Sequence, residues 1–523
     1  MEAMKNLIKI STILLMAFSL VACRKESDRI HDFSYNDDVT FGAANNSFGD
    51  QFKLLWEALN SNYAIWDYEA EQGLDWDEVY ETYYPKFVEL DTLVKTRQIT
   101  DEEFTALVKA VIAPLHDGHL AIDMKNRSTG NFINVNPGDI RIHKERAQEM
   151  KDLDSTFLRP SLQYYQDNGT VKEFKTADAS LQAQFNETVG AANKWISDNL
   201  NYLSAKTVVT QEELNTQRTA QDLQAELGAL EKLTDNKQVV EGLNKIVHRY
   251  SYMNIPGFHV LDPALSEGGI QMTYALLDRN IAYFSFSGFN IDPFLTSLPE
   301  QAATMEPYAA ELVQQMKGVW ESWFYAIQEL HKAGQLGGVI IDVRCNGGGN
   351  SGDFAYVLGA LVPSGGLHIM NARFKRGVGR YDYSPVTPMI MPTYPGDHVT
   401  VTEPIVVLAN AKSVSMSEIT SIGTRQVENA KLIGTRTWGG LCALTDNSAY
   451  SIDYSGKVGV EGVTPVFAYC PLLAALDLES GKPIEGIGIT PDSEVQLDLQ
   501  AWNKGKGPDS QLDRAIDYIV NGK

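Results

Sequence analysis

Apolar residues recur at helical spacing in the first quarter of the chain. Steps of three and four residues separate them within 52–63, 76–87 and 104–115, so each segment predicts a helix with one buried face. Thr100 and Glu103 have the spacing of a capping box at the start of the third helix. This helix leads directly into His116-Asp117-Gly118-His119.

The pattern changes twice further along the chain. Residues 144–252 are polar and mostly helical in pattern, and one long helix is predicted from a row of leucines, Leu214, Leu223, Leu227, Leu230 and Leu233. Beyond residue 270, short apolar runs at 281–286, 339–342 and 405–408 predict buried strands, and 320–333 and 415–427 predict helices. Alternating strands and helices indicate an α/β core with parallel strands.

Charge and composition narrow the classes of protein. The 523 residues include 44 Lys and Arg against 67 Asp and Glu, a formal charge of −23, and 44% of residues are hydrophobic. A surface this acidic repels phosphate, so we expect no nucleic-acid partner. Besides Cys23 the chain has three cysteines, an odd number that does not suit a disulfide scaffold.

The N-terminal segment has the pattern of a secretory signal. Lys5 and Lys9 accompany an apolar run that ends at residue 22, too short for a membrane span. Leu20-Val21-Ala22-Cys23 resembles the lipobox of bacterial lipoproteins, which implies acylation of Cys23 and attachment to a membrane. We expect an outer membrane lipoprotein, on the periplasmic face or the cell surface. The alternative is an ordinary signal peptide with an incidental cysteine.

Two turns that follow predicted strands contain residues suited to ligand binding or catalysis. Residues 339–349 read VIIDVRCNGGG, and the glycines let the backbone approach a ligand and turn its N–H groups outward. Residues 410–419 read NAKSVSMSEI, which places serines between a strand and a helix, where a nucleophile and an oxyanion site can form. By itself, each segment is equally compatible with a tight turn or a capped helix.

Taken in order, these blocks resemble the C-terminal-processing (tail-specific) serine protease family, which includes the core of tricorn protease. The matching residues are Asp342, Arg344, Asn346, Gly348 and Gly349, then Ser415, Ser417, Glu418 and Ile419, then Leu432, Gly434, Thr437 and Gly439, and finally 485–492. Asp117-Gly118-His119 fits the family's D-G-H-T, with Leu120 in place of Thr. The resemblance implies an α/β protease core of the tail-specific/tricorn type with a helical N-terminal domain.

The resemblance also implies roles for individual residues. Ser415 would be the nucleophile, and the backbone N–H groups of Gly348 and Met416 would bind the oxyanion. The tail-specific branch uses a Lys general base 25 residues after the serine, but this chain has Gly440 there. The tricorn-like branch uses a histidine oriented by a glutamate, and His119 and Glu485 occupy those places.

Simpler structural roles remain open for two of these residues. His119 could cap the end of a helix, and Glu485 could be a loop carboxylate. His116 and His119 have a spacing that suits a metal, but the sequence suggests no third ligand. We therefore predict no metal and no cofactor.

The sequence predicts an exported serine peptidase that hydrolyses peptide bonds in a peptide or protein substrate. The alternatives are a catalytically silent relative that binds peptide, lipid or glycan fragments in the same cleft, and an esterase with the same triad. The predicted division is a signal peptide at 1–22, a lipidated tether at 23–48, a helical N-terminal domain at 49–125, a mostly helical insertion without a clear PDZ motif at 126–270 and the α/β serine protease core at 271–523.

Overall fold

The computed structural model describes residues 47–155, 160–230, 232–233, 236–261, 269–377, 379–443 and 457–522. The predicted signal peptide and nearly all of the predicted tether, including Cys23, lie outside the described residues. Among the helices in the described part of the chain, none combines the length and the apolar character needed to cross a membrane.

Helices and strands alternate along most of the described chain. The α-helices are α1 (Phe48–Asn62), α2 (Trp66–Glu71), α3 (Trp76–Leu93), α4 (Asp101–Ile112), α5 (Pro137–Glu145), α6 (Ala147–Ser155), α7 (Gln163–Asp167), α8 (Leu181–Ser204), α9 (Gln211–Leu230), α10 (Asn236–Tyr250), α11 (Asp292–Leu295), α12 (Ser297–Gln301), α13 (Pro307–Lys332), α14 (Met416–Gly423), α15 (Leu499–Trp502) and α16 (Ser510–Asn521). The strands are β1 (Ala121–Lys125), β2 (Phe132–Val135), β3 (Val171–Asp178), β4 (Gln271–Leu277), β5 (Ile281–Phe286), β6 (Gly338–Asp342), β7 (Leu367–Phe374), β8 (Thr387–Met391), β9 (Ile405–Ala409), β10 (Ala430–Gly434), β11 (Lys457–Val458), β12 (Val466–Tyr469), β13 (Leu473–Leu476) and β14 (Ser493–Glu494).

A seven-stranded sheet forms the centre of the fold, in the order β14-β10-β9-β6-β5-β4-β3. The five strands from β14 to β5 are parallel, and β4 and β3 extend the sheet in antiparallel fashion. Side chains alternate between two buried clusters, since Ile341 and Val407 join one and Ile340 and Val406 join the other. Burial on both faces explains the uninterrupted apolar residues of β9 and of β6 up to Ile341.

The helical N-terminal region packs around an aromatic core that includes Phe52, Trp66 and Phe104. Thr100 caps α4, because its hydroxyl accepts the N–H of Glu103 at 3.2 Å. A four-stranded sheet, β11-β12-β1-β2, contributes to the same core, and it pairs β1 with the distant strand β12. The N-terminal region and the C-terminal half therefore share one sheet, which places 117–120 beside the α/β core.

Helices α8, α9 and α10 pack on each other around a separate apolar cluster. Three of the five predicted leucines, Leu223, Leu227 and Leu230, are buried there. The prediction is wrong for Leu214 and Leu233, which are exposed, and Leu233 lies beyond the end of α9. The helical insertion also contains β3, which pairs with β4 across the predicted boundary at residue 270.

The predicted fold class is confirmed, with an α/β core, a helical N-terminal region and a helical insertion. The predicted strand at 281–286 coincides with β5, and those at 339–342 and 405–408 fall within β6 and β9. The predicted helix at 415–427 is shorter, since α14 ends at Gly423 and a 3₁₀ turn follows.

Candidate active site

Ser415 lies at the sharp turn between β9 and α14. Its backbone has φ 56° and ψ −115°, a conformation that non-glycine residues rarely adopt. The helix that follows is buried over its whole length. This strand–turn–helix arrangement presents a serine beside the N–H groups of a helix N-terminus, as in strained nucleophile turns.

The Gly-rich turn after β6 is fixed by a buried ion pair. Arg344 contacts Asp342 at 2.6 Å and Asp509 at 2.8 Å, and all three side chains are essentially inaccessible to solvent. Tyr283 donates its hydroxyl to Asp342 at 2.8 Å. The D-x-R part of the motif therefore anchors the turn to the C-terminal region, and it is not itself at the reaction centre.

Asn346 connects the Gly-rich turn to the nucleophile turn. Its backbone carbonyl accepts the N–H of Val414 at 3.0 Å and the hydroxyl of Ser417 at 2.8 Å. Its side-chain oxygen accepts the N–H of Gly348 at 2.9 Å. One of the two predicted oxyanion donors is therefore engaged by Asn346 in this structure, and an oxyanion would compete for it.

Gly348 lies directly against Ser415. It has φ 91°, and a β-carbon placed on it would lie 2.6 Å from Cβ of Ser415 and 3.0 Å from the nitrogen of Met416. The predicted nucleophile and both predicted oxyanion residues are thus adjacent in space. The close approach requires glycine at this position.

Glu418 joins the nucleophile turn to residues 437–440. One carboxylate oxygen accepts the Thr437 hydroxyl at 2.6 Å and the Gly439 N–H at 2.7 Å. The other accepts the Gly440 N–H at 2.7 Å and the Ser415 N–H at 3.2 Å. Complete burial raises the pKa of Glu418 to about 7, although these four donors favour its charged form. The segment that carries the Lys in the tail-specific branch is therefore held beside Ser415 without a lysine.

His119 and Glu485 lie together with Asp117. A ring nitrogen of His119 and one carboxylate oxygen each from Asp117 and Glu485 all lie within 4.8 Å of one another. Glu485 is fully buried and accepts the N–H groups of Gly118, Leu441 and Cys442 at 2.6–2.7 Å. A carboxylate held by three amides is fixed in position and can orient a nearby imidazole.

Burial lowers the pKa of His119, and the Glu485 carboxylate and the Cys442 carbonyl oppose that shift. Nδ1 of His119 is buried and has no partner at hydrogen-bond distance in the described part of the chain. A lowered pKa keeps the imidazole neutral at neutral pH, which is the state a general base requires.

Asp117 holds the turn that carries His119. Its Oδ1 accepts the N–H groups of His119 at 2.7 Å and Leu120 at 2.9 Å. Burial raises the pKa of Asp117 well above its usual range, and the Glu485 carboxylate adds to the shift. The sequence-based alternative in which His119 caps a helix does not describe this geometry, because α4 ends at Ile112 and His119 precedes β1.

His116 bonds a different carboxylate. Its Nδ1 contacts Glu69 at 2.7 Å, and Glu69 also accepts the Tyr63 hydroxyl at 2.5 Å. The Tyr63 oxygen in turn accepts the N–H of Asp117 at 3.2 Å. His116 and His119 therefore have different carboxylate neighbours, and the i, i+3 metal pair considered from the sequence does not form.

Gly440 lies close to both the Ser415 turn and the His119 ring. A β-carbon on Gly440 would lie 3.4 Å from Cε1 of His119, and the N–H of Gly440 shares Glu418 with Ser415. No hydrogen bond joins Ser415 Oγ to the His119 ring among the described residues. Catalytic hydrogen bonds are often long in structures without substrate.

Sequence reasoning did not assign roles to Glu418, Asp117 and Glu69. Glu418 and Asp117 belong to the motifs S-x-S-E-I and D-G-H, so the sequence did mark these two positions. Glu69 had none, because its neighbours His116 and Tyr63 are assembled only by the packing of α2 against the segment after α4.

A serine at a strained helix N-terminus, beside a Gly-rich turn and a His–carboxylate group, defines the class of serine hydrolases. Residues 312–495 match the model of peptidase family S41. Over this segment the chain is similar to the S41 peptidases, and this similarity supports a serine peptidase.

Known proteins match parts of the chain. A carboxy-terminal-processing protease of Bartonella bacilliformis is 31% identical over 179 residues, 34% of this chain and 36% of that protein. Tricorn protease of Thermoplasma acidophilum is 31% identical over 183 residues, 35% of this chain and 14% of that protein. The matched segment thus spans little more than a third of the first relative. A putative peptidase structure from Parabacteroides merdae has a TM-score of 0.44 at 16% identity, over 91% of this chain and 98% of that one.

Proposed function

We propose that this protein is a serine peptidase that hydrolyses peptide bonds with Ser415 as nucleophile, His119 as general base and Glu485 as the residue that orients the base. The Gly348 and Met416 N–H groups would stabilise the oxyanion. The observation that carries the proposal is the Glu418 bridge, because it ties the strained Ser415 to Gly440, against which the His119 ring packs.

The chemistry follows from these positions. A His119 tautomer with its proton on Nδ1 would leave Nε2 to accept the Ser415 proton as the hydroxyl attacks the carbonyl. The negative charge that develops on the carbonyl oxygen would meet the N–H of Met416 at the start of α14, and that of Gly348 once Asn346 releases it. His119 would then return the proton to the leaving amine as the C–N bond breaks, and a water deprotonated by His119 would cleave the remaining acyl-Ser415 ester and regenerate the serine.

Hydrolysis of quenched fluorescent peptides tests the proposal. We expect Ser415→Ala and His119→Ala each to lower kcat/KM by about 10³-fold or more, because the serine nucleophile and its histidine base act only together. His143→Ala is the matched control, since His143 is an exposed histidine on α5 whose ring contacts Asp139. Full activity of Ser415→Ala would refute the assignment.

A catalytically silent protein that binds peptide, lipid or glycan fragments is the second candidate. The absent lysine at position 440 favours it. Under this candidate, wild type would bind peptides without cleaving them, and Ser415→Ala would bind with unchanged affinity. An esterase would cleave acyl esters at a rate that depends on Ser415 and leave all peptides intact.

We also propose export and acylation at Cys23, on the lipobox-like sequence before it. The body would then sit at the bacterial outer membrane, tethered by the lipid. Mass spectrometry of the membrane fraction should find a diacylglyceryl-modified Cys23, and Cys23→Ala should release the protein from that fraction. An unmodified N-terminus in the wild type would contradict this.

A further inference from the structure

Two fully buried carboxylates lie beside His119 without a cationic partner. Neither Asp117 nor Glu485 forms an ion pair with a lysine or arginine in the described part of the chain, although both are completely buried. Placing two carboxylates close together in a buried site is costly unless a positive charge or a proton compensates for them. This arrangement is unusual for a site that needs only one carboxylate to orient its histidine.

The polar atoms that remain free point to a ligand. Asp117 Oδ1 is saturated by two backbone N–H groups, but Oδ2 is buried and has no partner among the described residues. Glu485 Oε2 accepts two N–H groups and Oε1 accepts one, and the Cys442 thiol also bonds this carboxylate. Nδ1 of His119 is also unpartnered at hydrogen-bond distance within the described ranges.

We infer that Asp117, His119 and Glu485 form a binding site for a divalent transition metal ion, of which Zn²⁺ is the best match. One imidazole nitrogen and two carboxylate oxygens are ordinary zinc ligands, and a water would complete a tetrahedral site. The ligand atoms lie within 4.8 Å of one another. In a tetrahedral site, zinc bonds of about 2.0–2.2 Å place ligand atoms about 3.3–3.6 Å apart, so the widest separation must contract by about 1.2–1.5 Å when the ion binds.

The bound ion inhibits the peptidase, and this part of the inference rests on the proposed function. A metal on Nδ1 forces the neutral imidazole to carry its proton on Nε2. That nitrogen then has no lone pair to accept the Ser415 proton, so the general base is blocked. The ion thus acts as a reversible inhibitor and does not participate in hydrolysis.

Titration of the purified chain with Zn²⁺, followed by calorimetry, tests the site without requiring turnover. We expect one tight site in wild type and at least a tenfold weaker Kd in Asp117→Asn, which removes one anionic ligand. Asp123→Asn is the matched control, because Asp123 is a buried aspartate on β1 whose side chain accepts the Asn134 amide at 2.6 Å, outside the Asp117–His119–Glu485 group. Its affinity should equal that of wild type.

Further variants keep the result interpretable. If Asp117→Asn unfolds, Glu485→Gln serves as the second ligand variant. No tight site in wild type would overturn the inference, and so would a site lost in His143→Ala or Cys345→Ser but retained in Asp117→Asn.

Peptide hydrolysis separates this inference from the proposed function. Zn²⁺ should lower the rate, and a chelator should restore it. Zinc binding by a protein that hydrolyses no peptide even after a chelator has removed the metal would overturn the proposed function and leave the site standing. Hydrolysis without zinc binding would overturn the site alone.

Discussion

Replacing Gly348 by alanine perturbs the nucleophile directly. The added β-carbon would lie 2.6 Å from Cβ of Ser415, 2.8 Å from the carbonyl of Val414 and 3.0 Å from the nitrogen of Met416. Two of these contacts are with backbone atoms, which cannot rotate away. The substitution therefore displaces the turn that carries Ser415.

The size of the effect follows from these distances. Ordinary carbon contacts are about 3.5–4.0 Å, so the Ser415 turn must move by about 1 Å. A displacement of this size at a reacting group costs about 10²-fold in rate. The positive φ of 91° at Gly348 adds about 1–2 kcal/mol of backbone strain, and overpacking adds about 1–3 kcal/mol. We expect kcat/KM to fall about 100-fold and the protein to unfold at lower temperature.

The assay has an internal control in the same glycine triplet. Gly347 is exposed, and a β-carbon there would have no neighbour within 4 Å among the described residues. Gly347→Ala should therefore keep kcat/KM within about twofold of wild type. Peptide hydrolysis and thermal unfolding are measured for both variants. If Gly348→Ala is as active as Gly347→Ala, Gly348 does not abut the nucleophile as described.

Three further changes have defined outcomes. Because burial lowers the pKa of His119, NMR titration of its ring with a chelator present should give a pKa below 6.5, and a His119 pKa above 6.5 would contradict the base assignment. Arg344→Met leaves two buried carboxylates without their cation and should lower the free energy of unfolding by about 3–5 kcal/mol in denaturant titrations, whereas Arg249→Met, which removes an exposed partner of Glu226, should change it by less than about 1 kcal/mol. Thr437→Val removes a hydroxyl that bonds Glu418 at 2.6 Å and should cost about 1–3 kcal/mol in the same titration; an unchanged midpoint would show that the Glu418 bridge does not depend on it.

The strands near the site were predictable because burial on both faces leaves an uninterrupted apolar sequence. β5, β6 and β9 all have this pattern, and they were found within one residue of their ends. Helix ends were harder to predict. After α14 the Thr424 hydroxyl donates to the carbonyl of Ser421 at 2.6 Å, a local side-chain bond that competes with continued helix. α13 begins at Pro307, well before the predicted residue 320, because its apolar stripe already starts at Ala309.

The candidate site was only partly predictable. The order of motifs indicated Ser415, His119 and Glu485, but sequence order does not show that Glu418 is bonded to four donors from two separate segments. The environment of Asp117 was equally hidden, because its burial depends on β1 pairing with β12, about 345 residues away in sequence. Such long-range pairings decide which carboxylates lose solvent, and therefore which of them can act on a histidine.

Labelling with a fluorophosphonate tests the central claim most directly, because the reagent reacts only with an activated serine. Mass spectrometry should find one phosphonyl group per chain, attached to Ser415, and the labelling rate should fall at least 100-fold in His119→Ala while His143→Ala labels like wild type. Wild-type protein that remains unlabelled, or a label on Ser415 whose rate is the same in His119→Ala, would contradict the account.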